Sequence, residues 1–243
     1  MENNIKNKLG RLLHQSKIAI ITEIVLVFAV ALFFMALVSP LAKGNQFAQQ
    51  GVVWLANAIM IILISIGLWL RGENWKDFGI SMSMGSAKKL FKNFLWSLVV
   101  LGITLISFGL GHKVGTLFFS MDVQIDVSGY EYLKNNPGIF VLSLIGVYII
   151  SSFGEEFIYR GFLVNRLTWL FQGTKAKHIT SILLSSILFG LAHYKWGAIG
   201  VVQTFFMGMA LATSYVLLRK KLNILILAHV YMDSLLFLNI YFS

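Results

Sequence analysis

The sequence has no cysteine, only two prolines and few charged side chains. Without cysteine, disulfides, zinc–thiolate sites and cysteine nucleophiles are all excluded. Two prolines and the lack of a low-complexity tract argue against long disordered linkers. Charged residues make up only 12% of the chain, whereas soluble domains carry about 25%. Because so few charges could not cover a surface in contact with water, we predict an integral membrane protein.

Apolar residues dominate the sequence. They make up 57% of the 243 residues, and the mean hydropathy is +0.77. A helix that crosses the hydrocarbon core needs roughly 17–25 mainly apolar residues. The sequence therefore predicts an all-α, polytopic transmembrane helix bundle of about seven spans, with eight as the alternative, in one integral membrane domain. The predicted spans are 18–41, 51–70, 93–111, 138–159, 179–193, 198–218 and 222–242.

Lysine and arginine concentrate at one end of these spans. Sixteen of the 20 precede the first span or lie in every second loop, namely Lys6, Lys8, Arg11, Lys17, Arg71, Lys76, Lys88, Lys89, Lys92, Arg160, Arg166, Lys175, Lys177, Arg219, Lys220 and Lys221. Since cytoplasmic loops carry the Lys/Arg excess, the N-terminus is predicted to be cytoplasmic. The net charge of +10 is interpreted as orientation and contact with anionic membrane lipid rather than nucleic acid. The composition and short chain favour a bacterial cytoplasmic membrane.

Ionisable side chains inside the fourth predicted span are the first functional signal. A charge at the bilayer centre costs at least ~2.5–3.5 kcal/mol, so such groups mark functional sites. Glu156 and Arg160 are four residues apart with the acid N-terminal, which is the favourable order for an ion pair. Glu155 is about 100° round the helix and can face elsewhere. We predict one carboxylate held by an arginine and one free carboxylate.

Two later spans carry further ionisable groups. His193 ends the fifth predicted span, four residues after Phe189. His229 and Asp233 are four residues apart on the last span, so both side chains lie on one face. Three helices could therefore bring together a free carboxylate, two imidazoles and a second carboxylate.

The three segments resemble the motifs of the CPBP intramembrane proteases, the superfamily of CAAX prenyl endopeptidases and bacteriocin-processing or Abi proteins. EEFIYR at 155–160 matches the EExxxR motif, FGLAH at 189–193 matches FxxxH, and HVYMD at 229–233 stands where the family has HxxxN or a variant. The resemblance covers residues 138–243, and residues 1–137 hold the N-terminal spans and loops. It extends more loosely to the segment 77–80.

The resemblance implies a hydrolase: an intramembrane endopeptidase that cleaves a peptide or membrane-protein substrate in a membrane cavity. By motif position, Glu155 and His193 would activate water. His229 and Asp233 would hold the carbonyl oxygen or complete the site. The second glutamate and the arginine of the first motif would brace it. The motifs do not separate the CAAX branch from the bacterial peptide-processing branch.

Asp233 departs from the family pattern, in which asparagine is common. An asparagine amide can donate to an oxyanion, whereas an ionised aspartate only accepts. With all three acids ionised and one arginine as the only cation, the site would carry a net charge of −2, which a low-dielectric environment disfavours. Either a proton is retained on Asp233 or a histidine, or a divalent metal such as zinc binds and makes this a metalloprotease. The candidate metal ligands are Glu155, His193, His229 and Asp233.

Two other functions stay open on the sequence alone. One is a non-catalytic membrane protein of the same fold, such as a bacteriocin-immunity or partner-binding protein. The other is a proton- or ion-coupled transporter that uses Glu155 and the histidines as a relay. The sequence does not give the oligomeric state.

Overall fold

The computed structural model describes residues 8–81, 85–119 and 125–243, and in these ranges the chain has helices and no strand. Six helices within these ranges are long and apolar enough to cross a membrane. The predicted all-α, polytopic bundle is therefore confirmed. Lys6, one of the basic residues used to predict the orientation, lies outside the described residues. The main helices are α1 (Lys8–Gln15), α2 (Lys17–Val38), α3 (Gln46–Arg71), α4 (Ala87–Phe118), α5 (Pro137–Leu170), α6 (Lys177–Ala192), α7 (Gly197–Leu217) and α8 (Leu222–Phe242). Short 3₁₀ turns occur at Ser39–Ala42, Trp75–Phe78, Ser128–Leu133 and Tyr194–Trp196.

Polar residues fix where the long helices begin. The side chains of Ser16, Asn45, Ser86 and Asn136 each accept a hydrogen bond from the backbone N–H three residues later. Such caps satisfy one of the backbone donors that the first helical turn leaves free. The caps explain why α3 and α4 begin several residues before the apolar runs from which the spans were predicted.

Helix α6 is shorter than a membrane span. It has 16 residues, which at 1.5 Å per residue cover about 24 Å. The hydrocarbon core is ~30 Å thick. The fifth predicted span is thus a helix too short to cross the whole hydrocarbon core without tilt or thinning. The number of crossings and the cytoplasmic N-terminus stay predictions.

Helix α7 is the centre of the bundle. Its apolar window is 61% buried, against 11% for α2, and its most extensive contacts are with α4 and α6. Glycines bring α6 and α7 together: a Cβ atom at Gly190 would lie 2.8 Å from the carbonyl oxygen of Val201. Small residues at helix interfaces let membrane helices pack closely. The apolar side chains that α2 exposes are suited to contact lipid.

Helix α5 departs from α-helical geometry. Val147–Ser152 and Glu156–Val164 form π-helical turns, and every residue of the second segment is buried. A π turn bonds i to i+5 and is frequent at functional sites. Carbonyl groups in this segment receive side-chain bonds: Ser185 donates to the Tyr159 oxygen at 3.0 Å, and Asn165 donates to the Gly161 oxygen at 2.5 Å. The first motif therefore lies in a widened helix whose carbonyl groups have partners from side chains.

The turn Trp75–Phe78, which overlaps the segment 77–80 that loosely resembles the family, packs against this widened helix. The ring of Trp75 lies 5.1 Å from that of Phe157, and the Phe78 ring lies 5.4 Å from the same ring. A Cβ atom at Gly161 would lie 3.0 Å from Phe78. The segment therefore fills the space beside the π-helical turns.

Candidate active site

The predicted ion pair of the first motif is present and buried. Nη1 of Arg160 lies 2.8 Å from Oε1 of Glu156, and the side chains are 1% and 0% exposed. The guanidinium carbon of Arg160 also lies 4.3 Å from the centroid of the Phe189 ring, within the ~6 Å reach of a cation–π contact. The second motif therefore packs on the ion pair of the first.

His229 joins the third motif to the same carboxylate. Its Nδ1 atom lies 2.8 Å from Oε1 of Glu156. Because a carboxylate paired with arginine only accepts hydrogen bonds, Nδ1 is the donor. The other ring nitrogen, Nε2, then faces Oε2 of Glu155 at 3.9 Å and Oδ2 of Asp233 at 3.7 Å. One imidazole is thereby held among all three acids of the motifs.

Asp233 has a partner that sequence reasoning missed. Oγ of Ser152 donates to Oδ2 of Asp233 at 2.6 Å, which links α5 to α8. A second link between these helices joins the Tyr148 hydroxyl to Oγ of Ser234 at 2.7 Å. Ser152 lies one turn before Glu155, and this spacing was the available signal, because residues three apart share a helix face.

His193 follows the last residue of α6. Its Nδ1 atom lies 2.8 Å from the carbonyl oxygen of Phe189. A carbonyl oxygen only accepts, so Nδ1 donates, and neutral His193 keeps the lone pair on Nε2. Its ring lies 4.8 Å from the ring of Phe189 and 4.9 Å from that of Trp196. Phe189 also contacts His229, with ring centroids 6.3 Å apart, so both histidines pack on one phenylalanine.

The turn Ser128–Leu133 covers this region. The ring of Tyr130 lies 6.3 Å from that of Trp196 and 5.6 Å from that of Phe237. The backbone N–H of Asp126 donates to the Trp196 oxygen at 3.2 Å. Burial raises the pKa of the Tyr130 hydroxyl, and nearby carboxylates raise it further, so this group stays a protonated donor. No sequence signal pointed to Tyr130.

The metal hypothesis does not fit this arrangement. In the part of the chain that the structure describes, no group of three or more His, Asp or Glu side chains could hold a metal ion. Nδ1 of each histidine is bonded to a protein oxygen, so Nε2 is the atom that a metal would have to bind. A catalytic zinc needs three protein ligands at ~2 Å from one point. Glu155, His193, His229 and Asp233 are thus not placed as a metal shell, and a metal requirement stays a prediction.

A second buried charge cluster lies apart from the motifs. Glu23 of α2 forms an ion pair with Arg71 and lies 3.5 Å from Nε of Arg166, and Arg166 pairs with Glu73 at 2.7 Å. These contacts tie α2 and the end of α3 to the last turns of α5. Two arginines and two glutamates balance one another, so this cluster is structural.

Comparison with known proteins supports the resemblance. Residues 137–235 match the family model of type II CAAX prenyl endopeptidase, Rce1-like, and this range contains all six predicted site residues. The predicted family is thereby confirmed over these residues. No curated protein and no solved structure matches the chain. Together with the apolar helices, the match indicates a multi-pass membrane protein that is similar over residues 137–235 to the CAAX-type intramembrane proteases.

Proposed function

We propose that this chain, with its Rce1-like domain at residues 137–235, is an intramembrane endopeptidase that uses Glu155 and His193 to activate water. The observation that carries the proposal is the carboxylate of Glu156. It accepts from Arg160 and from Nδ1 of His229, which turns Nε2 of His229 toward Glu155. A buried charge that orients a second ionisable group beside a third is typical of a catalytic site.

Water activation needs a proton acceptor. Glu155 is 15% exposed and forms no ion pair with arginine in the described residues. His193 offers an unprotonated Nε2, since its Nδ1 donates to a carbonyl oxygen. In the proposed first step the oxygen of water bonds to the substrate carbonyl carbon, and its proton passes to Glu155. His193 holds the same water through Nε2.

The negative charge that forms on the substrate carbonyl oxygen needs a hydrogen-bond donor to stabilise it. Asp233 does not serve while ionised, because it only accepts hydrogen bonds. His229 fits this role when Nε2 carries a proton, since Glu156 anchors the opposite side of its ring. Asp233, held by Ser152, then orients the imidazole. In the second step the C–N bond breaks, and the proton on Glu155 passes to the leaving nitrogen.

The depth of the site bears on the substrate. Glu155 lies near the middle of the 34-residue helix α5, so the scissile bond has to reach the interior of the bundle. A peptide attached to the membrane, or a segment of a membrane protein, can enter from the bilayer. We propose this substrate class, in keeping with the CAAX-type enzymes that the family model describes.

The proposal is tested by mass spectrometry of new peptide termini in membranes that contain wild-type protein or Glu155→Gln at equal amounts. Glu131→Gln removes an exposed carboxylate outside the motifs and serves as the matched control. We expect termini that are present with wild type and Glu131→Gln and lost with Glu155→Gln. The same termini with all three proteins would contradict the proposed role of Glu155.

A further inference from the structure

A cavity of about 240 Å³ lies at the end of the bundle that carries most of the basic residues. No Asp or Glu belongs to its lining among the described residues. Its polar lining residues are Asn165, Thr168, His178, Tyr215, Arg219 and Lys220. The cavity is thus bounded by α5, α6 and α7, and it carries positive charge only.

The two cationic residues of the cavity have a left-handed backbone conformation. Arg219 and Lys220 have φ angles of +53° and +63°. The N–H of Lys220 donates to the Tyr215 oxygen at 2.9 Å, and that of Arg219 donates to the Val216 oxygen at 3.1 Å. This is the pattern that ends many helices, but glycine usually takes the left-handed position. Left-handed residues other than glycine are strained and cluster at functional sites.

Glu73 and Asp77 lie near enough to Lys220 to favour its charged form, but neither forms an ion pair with it in the described residues. Neither Arg219 nor Lys220 forms an ion pair with another residue in the described ranges, whereas nearby Glu73 is paired with Arg166. Partial burial lowers the pKa of the Lys220 ammonium, so its charge costs free energy that an anion in the cavity would offset.

The uncharged polar side chains that line the cavity already form hydrogen bonds with other protein groups. Asn165 donates to the hydroxyl of Tyr215 at 2.7 Å, and this hydroxyl donates to the Phe78 oxygen at 2.9 Å. The Thr168 hydroxyl donates to that of Ser181 at 3.2 Å. These bonds make the wall rigid and leave the basic side chains as the groups that bind a ligand.

We propose that this cavity binds a phosphate group, carried either by the headgroup of an anionic membrane lipid or by free phosphate. Arginine and lysine are the side chains that bind phosphate. Basic pockets between membrane helices on the cytoplasmic side bind acidic lipid headgroups, and this end of the bundle is predicted to be cytoplasmic. The proposal does not depend on the protease activity.

The test is native mass spectrometry of the full chain in a neutral detergent, titrated with phosphatidylglycerol or phosphatidylcholine. Wild type is compared with Arg219→Gln/Lys220→Gln and with the control Lys88→Gln/Lys89→Gln, which removes the same charge from exposed positions at the same end. We expect the first double variant to bind phosphatidylglycerol roughly 30-fold more weakly, and the control to bind within threefold of wild type. Thermal unfolding of both variants checks that they are folded.

A second arm adds millimolar inorganic phosphate to the lipid-bound protein. Displacement of phosphatidylglycerol assigns the cavity to free phosphate as well as lipid, and retention assigns it to the lipid headgroup alone. Equal loss of binding in the two double variants would show general surface attraction and overturn the proposal. Phosphatidylcholine that binds as tightly as phosphatidylglycerol would overturn it too.

Discussion

The carboxylate of Glu156 should matter for stability, and that of Glu155 should matter for catalysis. Glu156→Gln keeps the shape of the side chain but leaves the guanidinium of Arg160, 1% exposed, without a counter-charge. Removing one partner of a buried pair costs ~3–5 kcal/mol. Glutamine still offers one oxygen to His229 or Arg160, so we expect about 3 kcal/mol, the lower end of that range.

Glu155→Gln provides the comparison on the same helix turn. Glu155 is 15% exposed, and its described ionic partner is His229 at 3.9 Å, beyond hydrogen-bond distance. Its replacement leaves no buried cation without its partner and relieves repulsion among three acids, so it should cost less than about 1 kcal/mol. Cleavage should nevertheless fall by at least about 100-fold, as for the loss of a general base.

The two variants are compared with wild type by thermal unfolding in detergent and by a peptide-cleavage assay. About 3 kcal/mol corresponds to a fall in Tm of roughly 6–12 °C for a chain of this size. Glu156→Gln with the wild-type Tm would show that Arg160 has another counter-charge. A fall in Tm for Glu155→Gln as large as for Glu156→Gln would make both glutamates structural and refute the division of roles.

Three further substitutions test other parts of the structure. His193→Asn should lower cleavage by at least about 100-fold with an unchanged Tm, because the imidazole is proposed to hold the water and forms no ion pair in the described residues; wild-type cleavage would remove His193 from the mechanism. Asp233→Asn should keep cleavage within about tenfold of wild type, because the amide can accept from Ser152 and donate to the substrate oxygen; a loss near 1,000-fold would make the carboxylate essential. Gly79→Ala should lower stability by more than about 2 kcal/mol, since φ is +89° and its Cβ would overlap the Lys220 oxygen; an unchanged Tm would contradict this packing.

The helices and the first ion pair were predictable because their signals are local. An apolar run of a given length indicates a membrane helix whatever its neighbours are. The contact between Glu156 and Arg160 follows from a spacing of four residues on one helix, and that between His229 and Asp233 follows from the same spacing. The prediction that these two pairs lie side by side rested on the family motifs, because no spacing within one helix brings α5 and α8 together.

The widened turns of α5 and the partners of the site were not predictable from the sequence. A π-helical turn such as Glu156–Val164 has no composition of its own, and here side chains from α6 and from α5 itself supply its carbonyl partners. Tyr130 reaches the site from a turn that precedes the motifs and is fixed only by tertiary contacts with Trp196 and Phe237. The position of Ser152 on the same helix face as Glu155 could be read from the sequence. Its bond to Asp233 could not, because a serine in an apolar helix usually bonds its own backbone.

The last prediction concerns the excess negative charge of the site. His229 lies within 4 Å of Glu155, Glu156 and Asp233, so a proton held on its ring offsets part of that charge where all three acids meet. The described acids and histidines, in contrast, are not arranged to hold a metal ion. We therefore expect cleavage by purified protein to persist within about twofold after treatment with EDTA and 1,10-phenanthroline, measured beside the metal content of the same sample. Activity that is lost with the chelators and restored by zinc would show that the acids move to bind a metal, and the imidazole of His229 would then be a ligand rather than the donor to the oxyanion.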